Sequence, residues 1–190
     1  VSMININEGS VKSTIAFYNY GTVGQNEIDH CVGVNNYDDM VIPEMEFTSN
    51  DRMVAFGDTK AVIFEGAQKP QAIAEIPMDE KTKSIFYNEH YIGIVTGNED
   101  EAVTNHLAVY DENGKLVMEK DFGLDYSSIE FLTNNEICIR NANVCDIYTV
   151  HGVYKFHHEF EEELFEIIPG KLKLNYTLVL KDTTQRIRLK

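Results

Sequence analysis

Short runs rich in β-branched and aromatic residues, many alternating apolar with polar and bounded by Gly, Asn, Asp and Pro, divide this chain into strands and turns. The runs recur as a phrase: an apolar strand, a polar turn, a second apolar strand, a turn and a third strand. Copies begin around Phe47, Phe86, Phe131 and Ile167, a spacing near forty residues. The second unit of the chain predicts strands at residues 43–48, 52–57, 60–65 and 71–76. The third predicts them at 83–87, 91–96, 106–111 and 115–122, and the fourth at 128–132, 136–140, 144–150 and 153–160. Second strands such as Met53, Val54, Ala55 and Phe56, or Ile92, Gly93, Ile94 and Val95, are apolar on both faces, which fits strands sandwiched between layers.

A repeat of this length built only of strands is the signature of β-propeller blades. The expected fold is therefore all-β: a propeller-like array of four-stranded antiparallel blades in one domain or fragment, with blades near 1–40, 41–80, 81–126, 127–162 and 163–190. The two ends break the pattern. The last unit offers strands only near 165–168, 175–181 and 185–189, and the first only near 2–6, 12–20 and 27–34. The array reads as incomplete, with about three whole blades and two partial ones, the C-terminal half of a larger propeller. Open blade edges predict self-association, a dimer being the expected form, or completion by a partner. The chain starts without Met in what reads as a strand, so an upstream segment is expected.

At 190 residues, 43% of them apolar, the chain can bury a core but has no room for a large second domain. Thirty-one acidic residues against sixteen basic ones leave a net charge of −15. That excess argues against a nucleic-acid partner, which needs concentrated Lys and Arg, and disfavours an anionic membrane surface. It serves solubility. No apolar run approaches the ~20 residues of a membrane span, so no membrane contact by this segment is expected.

Residues 13–25, which contain Tyr18, Asn19, Tyr20 and Gly21 followed by Gly24 and Gln25, carry a family resemblance together with residues 41–43, 53–58, 109–115, 152–156 and 167–169. Across essentially its whole length the chain resembles the C-terminal half of domain-of-unknown-function family 5711. The resemblance implies a Firmicutes protein with a short cytoplasmic N-terminus, one transmembrane helix and an extracytoplasmic propeller-like domain. The missing upstream part would then hold the membrane anchor and the earlier blades. The family has no established activity, so the resemblance transfers no functional residue.

Candidate chemistry is sparse. Gly21 to Gly24 lack the following helix and Lys of a phosphate loop, so no cofactor is expected. Ser127 and Ser128 lie outside a nucleophile elbow. The sequence at 111–115 reads as a hairpin turn with Gly114 in the left-handed position, rather than a calcium loop. Glu99, Asp100 and Glu101 form an acidic loop that could share a divalent cation, or remain solvated. His157 and His158 point to opposite faces of a strand and cannot easily grip one ion.

The three cysteines, Cys31, Cys138 and Cys145, are an odd count. A hairpin turning at 140–143 would set Cys138 and Cys145 directly opposite each other, as a cross-strand disulfide or as two small buried apolar side chains. Cys31 beside His30 is a poor catalytic dyad, because strand neighbours diverge.

First-strand positions supply Glu46, Glu130 and Glu166, each one residue before Phe47, Phe131 and Ile167. They could ring a channel mouth and bind a ligand, or simply mark the strand face that is not in the core. The leading function is a non-enzymatic extracytoplasmic binding or scaffold module for a protein or glycan partner. The alternative is an extracytoplasmic polysaccharide hydrolase or lyase using those carboxylates.

Overall fold

The structure, a computed structural model, describes residues 2–5, 10–14, 44–49, 51–57, 59–66, 71–97 and 105–189. Every regular element among them is a strand. They fall into two compact units, Val1–Glu80 with Glu112–Lys115, and Lys81–Asp111 with Leu116–Lys190. The expected strand at 27–34 and the acidic loop at 98–104 lie outside the described residues.

In the first unit, β1 (Ser2–Asn5) and β2 (Ser10–Thr14) form an antiparallel pair. The strands β3 (Glu44–Ser49), β4 (Arg52–Phe56), β5 (Lys60–Glu65) and β6 (Gln71–Pro77) follow as a four-stranded antiparallel meander. Met53, Val54, Ala55 and Phe56 of β4 and Ala61, Val62, Ile63 and Phe64 of β5 are all buried. Burial on both faces explains why these strands carry no polar alternation. Gly114, at φ 75°, turns its hairpin in the left-handed region that glycine enters without steric cost.

The second unit holds three consecutive meanders. The first comprises β7 (Thr82–Tyr87), β8 (Tyr91–Gly97), β9 (Asn105–Asp111) and β10 (Leu116–Phe122). Next come β11 (Ser128–Phe131), β12 (Glu136–Asn141), β13 (Val144–Thr149) and β14 (Tyr154–Glu159). The last sheet has three strands, β15 (Leu164–Pro169), β16 (Asn175–Leu180) and β17 (Thr184–Arg188).

The period of two along β12 builds a core on each side of the middle sheet. Ile137 and Ile139, with Tyr148, pack against Val95, Leu107, Val109 and Phe122 of the preceding sheet. Cys138, one residue out of phase, packs with Cys145 and Ile147 against Leu164, Ile167, Tyr176, Leu178 and Leu180 of the following sheet. Successive side chains of one strand thus face different neighbours. The first strands β7 and β11 lie side by side. This is an all-β, propeller-like array of four-stranded antiparallel blades. Three blades are complete and two partial among the described residues.

Two local contacts fix the packing of the β7–β10 sheet. Gly93 lies opposite Phe86, and a Cβ on Gly93 would sit 2.2 Å from that ring, so only glycine lets the ring lie across the strand. Held there, Phe86 meets Phe131 of the next sheet with ring centroids 4.6 Å apart.

The β12–β13 turn is tighter than the sequence suggested. Asn141 pairs with Val144, so only Ala142 and Asn143 turn the chain, with Ala142 at φ 48°. The shorter turn shifts the register. Cys138 lies opposite Ile147 and Cys145 opposite Arg140, which corrects the directly opposed arrangement to a diagonal one on the same face.

Candidate functional site

The described candidates have separate surroundings, each set by its own strand. Glu46 belongs to β3, where its backbone pairs with Val54. Glu130 of β11 is bound by Arg140, whose Nη2 donates to its Oε1 at 2.7 Å. The same guanidinium donates through Nη1 to the carbonyl of Phe165, so Glu130 works as an anchor for an arginine that ties β12 to β15. Glu166 of β15 is exposed. Glu99, Asp100 and Glu101 lie outside the described residues, as does Cys31.

Cys138 and Cys145 are both fully buried, and their sulfurs stand 3.7 Å apart as free thiols in contact. The contact with Cys138 and burial push the Cys145 thiol far above its ordinary range. A thiol held protonated is a poor nucleophile. The His157 ring donates from Nδ1 to Oδ1 of the buried Asp146 at 2.7 Å across the β13–β14 pair, while His158 lies between the rings of Phe156 and Phe160. Among the described residues no group of three His, Cys, Asp or Glu side chains could hold a metal ion.

The most concentrated chemistry lies elsewhere, between the last two sheets. Glu136 opens β12 on the face that Cys138 shares, so the strand's alternation carries its carboxylate toward β16. There the Tyr176 hydroxyl donates to Oε2 of Glu136 at 2.5 Å. Lys155, from β14, donates to Oε1 of Glu136 and, at 3.2 Å, to the Tyr176 hydroxyl oxygen. Tyr176 is 2% exposed and Glu136 8%. The three groups satisfy one another, as buried polar groups must.

Their electrostatics follow from that closure. Burial opposes the Lys155 charge, but hydrogen bonds to Glu136 and Tyr176 outweigh it and hold the ammonium above its ordinary pKa. Burial, then the bond to Glu136, raises the Tyr176 phenol. The cluster borders a cavity of about 520 Å³ whose far wall is the β15–β16 turn, including Lys171 and Lys173. In that turn Leu174 adopts φ 65°, a sparsely populated conformation for a non-glycine residue, and Leu172 is 74% exposed. Sequence reasoning passed over this cluster because its members lie on three strands. The legible signal was Glu136, a charge in phase with a core-facing cysteine.

A second feature is the edge of the last sheet. β17 is its third strand, yet it is exposed apart from Ile187, whereas the third strands β5, β9 and β13 are largely buried. Among the described residues no strand pairs with its outer edge. Leu189 donates its N–H to Leu174 and Thr183 accepts from Leu180, so odd-numbered residues of β17 face β16. By the alternation of an antiparallel ladder, the N–H and C=O groups of Thr184, Arg186 and Arg188 point outward. Arg186 and Arg188 lie opposite Thr177 and Asn175, beside a cavity of about 590 Å³.

Solved structures share the fold. A eukaryotic initiation factor aligns at 17% identity with a TM-score of 0.50, over 67% of this chain and 34% of that one. BamB from Moraxella catarrhalis aligns at 12% identity and 0.46, over 96% and 50%. Kluyveromyces lactis Hsv2 aligns at 13% and 0.46, over 80% and 46%. The chain thus spans between a third and a half of the length of these structures. No curated protein matches it in sequence. The family model for the family of unknown function DUF5711 matches residues 1–189, and the chain belongs to that family.

Proposed function

We propose that this chain is part of a non-enzymatic binding or scaffold module that engages a protein partner by strand addition at β17. The observation that carries the reading is the open edge: outward backbone groups at Thr184, Arg186 and Arg188 on a strand without an outer partner among the described residues. An added strand would supply the missing ladder hydrogen bonds. Arg186 and Arg188 form no ion pair among the described residues, and they project from one face two residues apart. Acidic side chains at alternate positions of an incoming strand match that spacing, so the partner strand is acidic.

The setting we infer is extracytoplasmic, on a protein anchored by a transmembrane helix upstream of this segment, as the family resemblance implies. The polysaccharide hydrolase or lyase reading finds less support, because Arg140 occupies Glu130 and Glu166 stands exposed in β15.

A synthetic peptide alternating Glu with Val tests the edge. Its binding should protect the amides of Thr184, Arg186 and Arg188 from hydrogen exchange and should be lost in Arg186→Pro, which removes an outward donor while sparing those facing β16. Light scattering reports whether a second copy takes the same place, as a dimer that Arg186→Pro dissociates. An edge that neither the peptide nor a second copy protects would overturn the reading.

A further inference from the structure

We propose that the cavity beside Glu136, Lys155 and Tyr176 binds a small ligand through a compact oxyanion, a carboxylate or a phosphate. The volume, about 520 Å³, is that of a small-molecule site, and its walls come from β12, β14 and the β15–β16 turn. A pocket assembled from segments this far apart in sequence exists only in the packed pair of sheets.

Its charge is positive once the internal bonds are counted. Lys155, Lys171 and Lys173 line it with one carboxylate, Glu136. Both oxygens of that carboxylate are engaged, one by Tyr176 and one by Lys155. An ammonium has three N–H donors, and Lys155 uses two of them, on Glu136 and on the Tyr176 oxygen. The third remains for a ligand. Lys171 and Lys173 form no ion pair among the described residues.

Acidic residues outnumber basic ones 31 to 16, and Arg52 pairs with Glu65, Lys60 with Glu75 and Arg140 with Glu130, whereas Lys171 and Lys173, like Arg186 and Arg188, have no such pair among the described residues. Two unpaired lysines on either side of Leu172 repel each other, and an anion between them and Lys155 relieves the repulsion. The backbone holds them there. Asn175 donates to the carbonyls of Leu172 and Lys173, and Leu174 keeps its left-handed φ, so the turn is bent around the cavity rather than left open. Strained backbone of this kind concentrates at ligand clamps.

The experiment is a titration of the whole chain with inorganic phosphate and, separately, with citrate, read by calorimetry and melting temperature against sodium chloride of equal ionic strength. The expected result is saturable binding of at least one anion in the millimolar range or tighter. The affinity should fall at least tenfold in Lys171→Glu/Lys173→Glu and be unchanged in Lys181→Glu, which removes an exposed cation outside the cavity. Lys155→Met should weaken binding as well; the exposed double variant keeps the test decisive if Lys155→Met fails to fold. The arm that binds identifies the oxyanion. A response no larger than that of sodium chloride in both arms, or binding that survives Lys171→Glu/Lys173→Glu, would overturn the site.

Discussion

The Tyr176 hydroxyl donates a 2.5 Å hydrogen bond to the Glu136 carboxylate, joining residues 40 positions apart across two neighbouring sheets. Both lie on apolar strand faces, and the bond is what makes burial of the carboxylate tolerable. With Lys155 it converts a sheet-to-sheet contact into a specific one, because a sliding of either sheet would strand a buried charge.

Removing that donor should therefore cost more than a methyl-sized change. Tyr176→Phe keeps the ring and loses the bond, and a hydrogen bond to a charged group contributes about 1.5–3 kcal/mol. The urea midpoint should fall with an unchanged slope. Combined with Glu136→Gln, the two losses should be less than additive. Additive losses would mean that the pair is not coupled in solution.

Stability should begin to fall near pH 9, where the unfolded Cys145 thiol ionises while the folded one stays protonated, and should fall further above pH 10. Burial, followed by the charges of Asp146 and Tyr154, pushes the Tyr148 phenol up to about 12, and Tyr176 and Lys155 are also raised. Above pH 10 the unfolded chain releases these protons while the folded chain retains them, so stability decreases with rising pH. The loss should be concentrated between pH 10 and 12 for Tyr148. Denaturant midpoints measured across pH 8–12 should show this fall, and Tyr148→Phe should shallow it.

Gly93→Ala should destabilise the fold by about 1–3 kcal/mol, the usual cost of overpacking, because the new methyl meets the Phe86 ring. Phe86→Leu in the same chain should recover part of the loss by clearing that space. Thermal melts of the single and double variants give the comparison. If the second substitution only adds to the loss, the ring contact is not what excludes a side chain at Gly93.

In a Cys31→Ser background, Cys138 and Cys145 should resist iodoacetamide in the native protein and react in denaturant, since both are buried. The 3.7 Å contact also makes the proposed disulfide testable. Diamide should remove both thiol hydrogens, as read by mass, if the diagonal pair can close. Native thiols that react at the rate of a free cysteine would place the hairpin in an open form.

Much of the fold was legible in local pattern. The predicted strand at 60–65 coincides with β5, and the others in the described repeats shift by a residue or two, because strands announce themselves through β-branched runs and punctuating turns. The β12–β13 turn shows the limit. Whether four residues or two make a turn depends on which backbone pairs close, and that single difference moved Cys145 from opposite Cys138 to a diagonal place. The candidate carboxylates fared similarly. Their like positions before Phe47, Phe131 and Ile167 were real in sequence, but Arg140, reaching from the adjacent strand, decided what Glu130 does.

The repeat, the strands and the residues that must be buried were written in the local pattern, since each follows from a period of two and from the transfer of apolar side chains out of water. Which polar groups meet depends on how the sheets pack. Glu136, Lys155 and Tyr176 come from three strands and two sheets, and nothing local distinguishes them from other charges and phenols along the chain. Hydrogen bonds act over about three ångströms, so their partners are set by how sheets pack and not by how residues are spaced.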